Sequence, residues 1–347
     1  MAEAPHERGL IMQSRDSQLA MIQSNFVKDS IQKVHPQIQV DIHSGKTMGD
    51  RVLNVPLAKI GDKGLFTKEL EEALLGKMAD IAVHSLKDVP TKMTQGLVLG
   101  AILERHNPRD ALVMRSDMRH LRLHSLPAGS VVGTSSVRRK AQLSHYFPHL
   151  QFQDVRGNLN TRLRKLEDSQ NGYVALVLAV SGLERMNMHH HITEVLETTP
   201  ERWFGYAVGQ GALAVQNRDA DADTIAYIQH LNHADTQRRC DAERALMKEL
   251  EGGCHAPIAV ETSVSGPSAA ATDEATLTLT AAVYSLDGVQ CVKDCISGPI
   301  STCESMGKEL ALILKQKGAS EILHDTAVAN AEAVKDHQKT VEAALKA

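Results

Sequence analysis

The chain has 347 residues, enough for two or three domains at roughly 100–200 residues each. Hydrophobic residues make up 42% and charged residues 23%, which argues against global disorder; aromatics at 3% and a net charge of −4 argue against nucleic-acid binding, since base-stacking platforms and a global basic field are both missing. Met1 to Arg8 carry no apolar signal core, no stretch approaches the roughly 18 consecutive apolar residues of a membrane span, and five cysteines without CxxC spacing argue against a disulfide framework, so a soluble protein of a reducing, cytoplasmic setting is expected.

Leu10 to Met12 reads as a short strand running into Ser14-Arg15-Asp16-Ser17, and Leu19, Ile22, Phe26, Val27 and Ile31 then recur at helical spacing. Ile38 to Ile42 alternates like a half-buried strand. Residues 44–66 are rich in Gly and Lys with little periodicity, the texture of a functional loop, and are expected to form a lid. Phe66 to Leu75 reads as a helix and Ile81-Ala82-Val83 as a buried strand. Beyond Pro108 the alternation resumes: strands at Val131-Val132, Phe152 to Val155 and Val174 to Val180, with helices after the first two. This pattern predicts an α/β architecture with largely parallel sheets. From Asp235 the texture changes to a helix reaching Leu250, strands around 258–262, 276–284 and 289–296 with a turn at Leu286-Asp287-Gly288, and a helix from about Ser305, which together predict a separate small α+β unit. Ser265 to Glu274 reads as a surface loop.

Four segments carry chemistry. His84-Ser85-Leu86-Lys87-Asp88 follows a buried strand, where α/β sheets place ligands, though alone it is read better as an exposed ion pair closing a loop. Gly133-Thr134-Ser135-Ser136-Val137-Arg138-Arg139 leads into a helix, and free N–H groups, hydroxyls and guanidinium forks there form a carboxylate or phosphate cradle; a plain helix cap with surface arginines is equally consistent. Val155 to Arg162 repeats the arrangement with Arg156 and Arg162, and two cradles together with Arg15, Lys63, Lys87 and Arg185 point to a ligand with many negative groups. Gly252-Gly253-Cys254-His255 exposes backbone beside a cysteine, which in isolation is read better as a small buried residue. Cys291, Cys295 and Cys303, and His189-His190-His191, are read as packing and solvated loop, so no metal site is expected.

Taken in order, these segments resemble porphobilinogen deaminases nearly end to end. Ser17-Gln18-Leu19-Ala20, Pro56 to Gly61 with Lys63 to Phe66, His84 to Pro90, Gly133 to Arg139, Arg156 to Arg162, Gly209 to Leu213 and Glu251 to Cys254 carry the likeness. The resemblance implies two periplasmic-binding-protein-like α/β domains plus a smaller C-terminal α/β (α+β) domain, the first discontinuous: residues 1–105 with 208–232, then 106–207, then 233–347. It implies a covalent dipyrromethane cofactor attached by thioether to Cys254, with Lys87, Thr134, Ser136, Arg138, Arg139, Arg162 and Arg185 binding it. It implies Asp88 as the catalytic residue, and Arg15, Ser17, Gln23, Lys63, Ser85, Arg156 and Gln210 on the substrate side. The implied partners are porphobilinogen and the growing linear polypyrrole, with no nucleic acid, no membrane and a monomeric chain. Asp16, Asn187, Ala214, Gln216 and His255 depart from the family's usual residues.

The implied reaction is the head-to-tail condensation of four porphobilinogen molecules to hydroxymethylbilane with loss of ammonia. Loss of ammonia leaves a cation shared with the pyrrole nitrogen, which a fixed carboxylate such as Asp88 would stabilise. Arginine suits the acetate and propionate side chains because its fork binds carboxylates bidentately. Two other readings stand beside this one: a small-anion-binding module of the same fold, and an inactive homologue.

Overall fold

A computed structural model describes residues 9–51, 64, 66–252, 256–266 and 275–346. The chain opens with β1 (Leu10–Arg15), α1 (Gln18–Val34), β2 (Val40–Gly45), α2 (Met48–Arg51), α3 (Lys68–Leu75), β3 (Ile81–Ser85) and β4 (Leu97–Ile102). β1 lies between β2 and β3 and runs parallel to both. Its alternate residues Leu10 and Met12 are buried against Val27 and Ile31, which the helical period puts on one face of α1. Ser17 starts that helix by accepting the Ala20 N–H on its hydroxyl.

After Arg109 come β5 (Asp110–Met114), β6 (Val131–Gly133), α4 (Val137–Tyr146), β7 (Gln151–Gln153), α5 (Leu159–Glu167), β8 (Ala175–Ala179), α6 (Val180–Arg185) and β9 (Glu194–Val195). The chain then returns as β10 (Leu213–Arg218), α7 (Ala222–Ile228) and α8 (Ala234–Glu249). The two five-stranded sheets have orders β2-β1-β3-β10-β4 and β7-β6-β8-β5-β9. Both repeat one plan. Three parallel strands are followed by a strand that has just crossed over from the other sheet, and that strand pairs antiparallel on both sides. The expectation of largely parallel sheets therefore needs correction: both sheets are mixed, because β10 and β5 enter from crossovers rather than from a strand–helix–strand unit.

The third sheet is an antiparallel meander of β11 (Ile258–Ser265), β12 (Thr276–Tyr284) and β13 (Cys291–Pro299). One face is buried against α8 and α9 (Cys303–Leu314), with Leu246, Leu277, Leu279 and Leu310 in its core. Asp287 accepts the Val289 N–H in the β12–β13 turn, where Gly288 takes a φ of 78°. That turn seats on α4. The Gly288 carbonyl lies 2.7 Å from His145 Nδ1, and a Cβ on Gly288 would come within 2.6 Å of the Ala141 carbonyl. A helix that the sequence reading did not resolve, α10 (Ser320–Lys346), ends the chain after a left-handed Gly318. Among the described residues no helix is long and apolar enough to cross a membrane.

Candidate active site

Asp88 sits in a short 3₁₀ turn, Leu86–Asp88, at the end of the buried strand β3. The turn is fixed on both flanks. Leu86 is buried and its N–H donates to the Ala212 carbonyl at 3.0 Å. On the far side Arg244 of α8 donates to the Val89 carbonyl at 3.0 Å and the Pro90 carbonyl at 2.8 Å. Between these anchors Lys87 and Asp88 are half-buried, and Asp88 Oδ2 lies 3.9 Å from Arg15 Nη1. Burial pushes the Lys87 ammonium below its usual value; Arg139 and Arg162 push the same way, and Asp88 and Asp110 oppose them. His84 of the same motif faces inward. Burial pushes its imidazole down to about 4, and its Nε2 lies 3.0 Å from the Gln216 carboxamide oxygen. A neutral, buried ring of this kind belongs to the core.

Arg15 ends β1. Its Nε donates to Asp50 Oδ2 at 3.0 Å and its Nη2 pairs with the other carboxylate oxygen. The Phe66 ring lies 4.5 Å from the guanidinium carbon. Asp50 is held below the usual carboxylate range: burial alone would raise it, but Arg15 and Thr47 hydrogen-bond the charged form. Gln23 and Ser85 bond to each other at 3.2 Å beneath this corner. Ser17 serves as the α1 cap.

The second sheet contributes the two cradles. Ser136 caps α4 through the Arg139 N–H, and the Thr134 hydroxyl accepts the Ser136 N–H. Arg138 and Arg139 converge on Asp110, at 2.8 Å and 2.7 Å to its two oxygens. Gln210 of the return crossover also donates to Asp110, at 2.8 Å, and to the Pro108 carbonyl at 2.6 Å. Burial would raise the Asp110 carboxyl, but the two guanidiniums hold it far below the usual range. The Nε atoms of Arg138 and Arg139 are buried and make no hydrogen bond among the described residues. At α5, Asn158 caps the helix and Arg162 donates to the Gly157 carbonyl at 2.8 Å, where Gly157 takes a φ of 117°. Arg156 is buried beside it. Burial, then Arg139 and Arg156, push Arg162 down to about 10. Arg185 of α6, also pushed by burial to about 10, donates to the Gly211 carbonyl at 2.7 Å. Asn160 of α5 donates to the Gln18 carboxamide oxygen of α1 at 2.8 Å, a direct bond between the two large units.

The structure thus brings Arg15, Lys87, Asp88, Arg139, Arg156 and Arg162 into one electrostatically coupled group. Arg138, Arg139 and Gln210 meet on the Asp110 latch at the crossovers, so that Arg139 belongs to both groups, and Arg185 is tied to the return crossover. Lys63 and Cys254 lie outside the described residues. The sequence reading missed Asp50, Asp110 and Arg244. Asp110 had a weak signal, an acidic residue opening the fully buried strand Asp110–Met114; Asp50 and Arg244 had none.

A group of cations this dense, in which burial pushes Lys87, Arg156 and Arg162 down and neighbouring arginines push Lys87 and Arg162 further, favours anionic ligands that restore charge balance. Acetate and propionate side chains of a dipyrromethane match that donor set. The comparisons with known proteins agree. Residues 10–226 match the family model described as porphobilinogen deaminase, dipyromethane cofactor binding domain, and residues 237–316 match porphobilinogen deaminase, C-terminal domain. The chain is 49% identical to the porphobilinogen deaminase of Synechococcus elongatus, over 90% of this chain and 93% of that protein. It is 50% identical to that of Gloeobacter violaceus, over 91% and 93%, and 46% identical to that of Dictyostelium discoideum, over 91% and 96%.

Proposed function

The chain belongs to the porphobilinogen deaminase family, and we propose that Asp88 is its catalytic carboxylate, served by the cations gathered around it. The activity is that of hydroxymethylbilane synthase, a transferase of tetrapyrrole biosynthesis with a dipyrromethane cofactor-binding domain. When bound, the dipyrromethane supplies the pyrrole carbon on which the product is extended.

The chain's own groups divide the remaining work. Arg15 and Arg156 take carboxylates of the incoming porphobilinogen; Lys87, Arg139 and Arg162 take those of the cofactor. Thr134 and Ser136 shape the start of α4, while Ser17, Gln23 and Ser85 do the same for the Arg15 corner. Arg138, Arg185 and Gln210 hold the floor and hinge of the cleft. Asp88 faces the nitrogen of the pyrrole that loses ammonia and stabilises the charge that develops there. Its fixed turn means that little reorganisation is needed as the charge appears. The carrying observation is that turn, anchored by Ala212 and Arg244, with its carboxylate 3.9 Å from Arg15 and acting electrostatically on Lys87 and Arg162.

Cys254, outside the described residues, is assigned as the attachment point on its place in Glu251-Gly252-Gly253-Cys254, the segment that resembles the family's. Among the described cysteines, burial pushes the thiols of Cys240 (to about 12), Cys291 and Cys303 upward, away from the nucleophilic thiolate, and Cys295 is on the exposed face of β13. The sheets fit a division into residues 1–105 with 208–232, 106–207 and 233–347. The chain is assigned as a cytoplasmic monomer.

Asp88→Asn in protein supplied with preformed cofactor tests the assignment. Ammonia release in single turnover should fall by roughly 10²–10³ while substrate binding survives. A near wild-type rate would place the charge stabiliser on another carboxylate.

A further inference from the structure

Arg15 is assigned to a substrate carboxylate, and the inference rests on that assignment. In this structure its fork is already taken. Nε donates to Asp50 Oδ2 at 3.0 Å and Nη2 pairs with Oδ1, the bidentate geometry that an acetate or propionate would use. Asp50 is itself aimed, because the Thr47 N–H and hydroxyl both donate to Oδ2, at 3.2 Å and 2.7 Å. The Phe66 ring covers one face of the guanidinium, and only a residue without Cβ fits beneath that ring: a Cβ on Gly49 would lie 2.2 Å from it. The remaining Nη1 is directed toward Asp88 at 3.9 Å. That end of the guanidinium faces the Asp88 carboxylate, which repels a second anion, so a substrate carboxylate is left the Nε–Nη2 edge, whose two N–H groups Asp50 already holds.

We propose that Asp50 is an internal competitor for the substrate carboxylate at Arg15, so that substrate enters by exchanging one carboxylate for another. The geometry has two consequences. Arg15 stays oriented and charge-balanced before substrate arrives. A pyrrole without a carboxylate in this position has nothing with which to displace Asp50, so the exchange selects for acidic pyrroles.

The test uses cofactor-loaded protein with Asp50→Asn, Asp50→Ala and Asp50→Glu, each checked for cofactor by intact mass. Apparent affinity scales with the fraction of molecules whose site is open, so the KM for porphobilinogen should fall roughly three- to tenfold in the Asn and Ala variants. Their kcat should stay within about twofold, because the exchange precedes the chemical step and alters no group that acts in it. Asp50→Glu, which keeps a carboxylate, should remain closer to wild type. A KM that rises or stays unchanged in both neutral variants overturns the proposal and makes Asp50 a support for Arg15 or a bystander. Arg15→Leu, given preformed cofactor, separates the two ways of failing. If its KM rises while the Asp50 variants show no fall, competition alone is wrong; if its KM is unchanged, the assignment of Arg15 to substrate is wrong and the competition with it.

Discussion

Arg105 and Glu243 meet as a two-pronged ion pair, Nη1 to Oε1 at 2.6 Å and Nη2 to Oε2 at 3.0 Å, with side chains 2% and 0% accessible. Four segments converge on them. Arg105 belongs to the outgoing crossover and donates through Nε to the Gln210 carbonyl of the return crossover. Glu243 of α8 accepts the Gly209 N–H at 2.9 Å and the hydroxyl of Thr262, on β11, at 2.9 Å. The pair therefore pins the hinge between the two large sheets to the third.

A buried pair of this kind is costly to break and much less costly to remove whole. Glu243→Gln, or Arg105→Met, is expected to lower the unfolding free energy by about 3–5 kcal/mol, because each strands the other charge. The double substitution should lose less than the sum of the two. Urea unfolding of the three variants checks this; additive losses would mean that the pair is not acting as a unit.

The local devices were legible in the sequence because they are local. Ser17, Ser136 and Asn158 each precede an apolar-periodic run, and each is a helix cap in the structure. Ile81 to Val83 had to be a buried strand, so Asp88 had to lie just past a strand end. The third sheet was readable strand by strand, with Thr276 to Tyr284 placed to the residue. What stayed hidden depends on chain crossing. β5 and β10 were not separable from their surroundings by period, and their antiparallel pairing arises only from the two crossovers. The same crossovers put Asp110 under Arg138 and Arg139, 28 and 29 positions further along the chain, and nothing local in either segment announces the other. Likewise Arg244 reaches Val89 and Pro90 from the third unit, a contact that no spacing encodes.

The Asp110 latch has its own pH signature. Its carboxyl is depressed in the folded chain, so the stability it contributes is present above its ordinary value of 3.8 and is lost as the pH falls toward the folded value. Asp110→Asn should therefore lower Tm most at neutral pH, and the gap to wild type should narrow below about pH 4. Thermal unfolding at pH 7, 5 and 3.5 measures it. A gap of constant size would assign the loss to packing rather than to charge.

Cysteine labelling offers a check independent of turnover. Cys240 and Cys303 are buried, while Cys295 is exposed. In native protein an alkylating reagent should modify Cys295 quickly and leave Cys240 and Cys303 until unfolding. Cys254 should be protected when cofactor is attached and should react in apoprotein. Peptide mapping that placed the pyrrole adduct on any cysteine other than Cys254 would end that assignment.

The Lys87 ammonium should control the alkaline side of the rate profile, and two variants must shift that profile in opposite directions. Four charged groups set its protonation: Asp88 beside it, Asp110 at the start of β5, Arg139 on α4 and Arg162 on α5. Burial lowers its pKa first, and the two arginines lower it further. If protonated Lys87 is needed to hold a carboxylate, kcat/KM falls on the alkaline side as the ammonium loses its proton. Removing a neighbouring cation should raise the Lys87 pKa, so Arg162→Met should move the alkaline limb to higher pH. Its maximum should also drop, because losing one charged contact costs on the order of 1.5–3 kcal/mol. Removing the neighbouring anion acts oppositely, so Asp88→Asn should move the limb to lower pH, on top of its slower chemistry. The limb's position, not its height, is the readout. Both variants need preformed cofactor, so that failed assembly does not masquerade as a shifted profile. Lys87→Arg supplies the reference, since a guanidinium keeps its charge across the range and the limb should disappear. If the limb persists in Lys87→Arg, or if Arg162→Met and Asp88→Asn shift it the same way, another group controls the alkaline side.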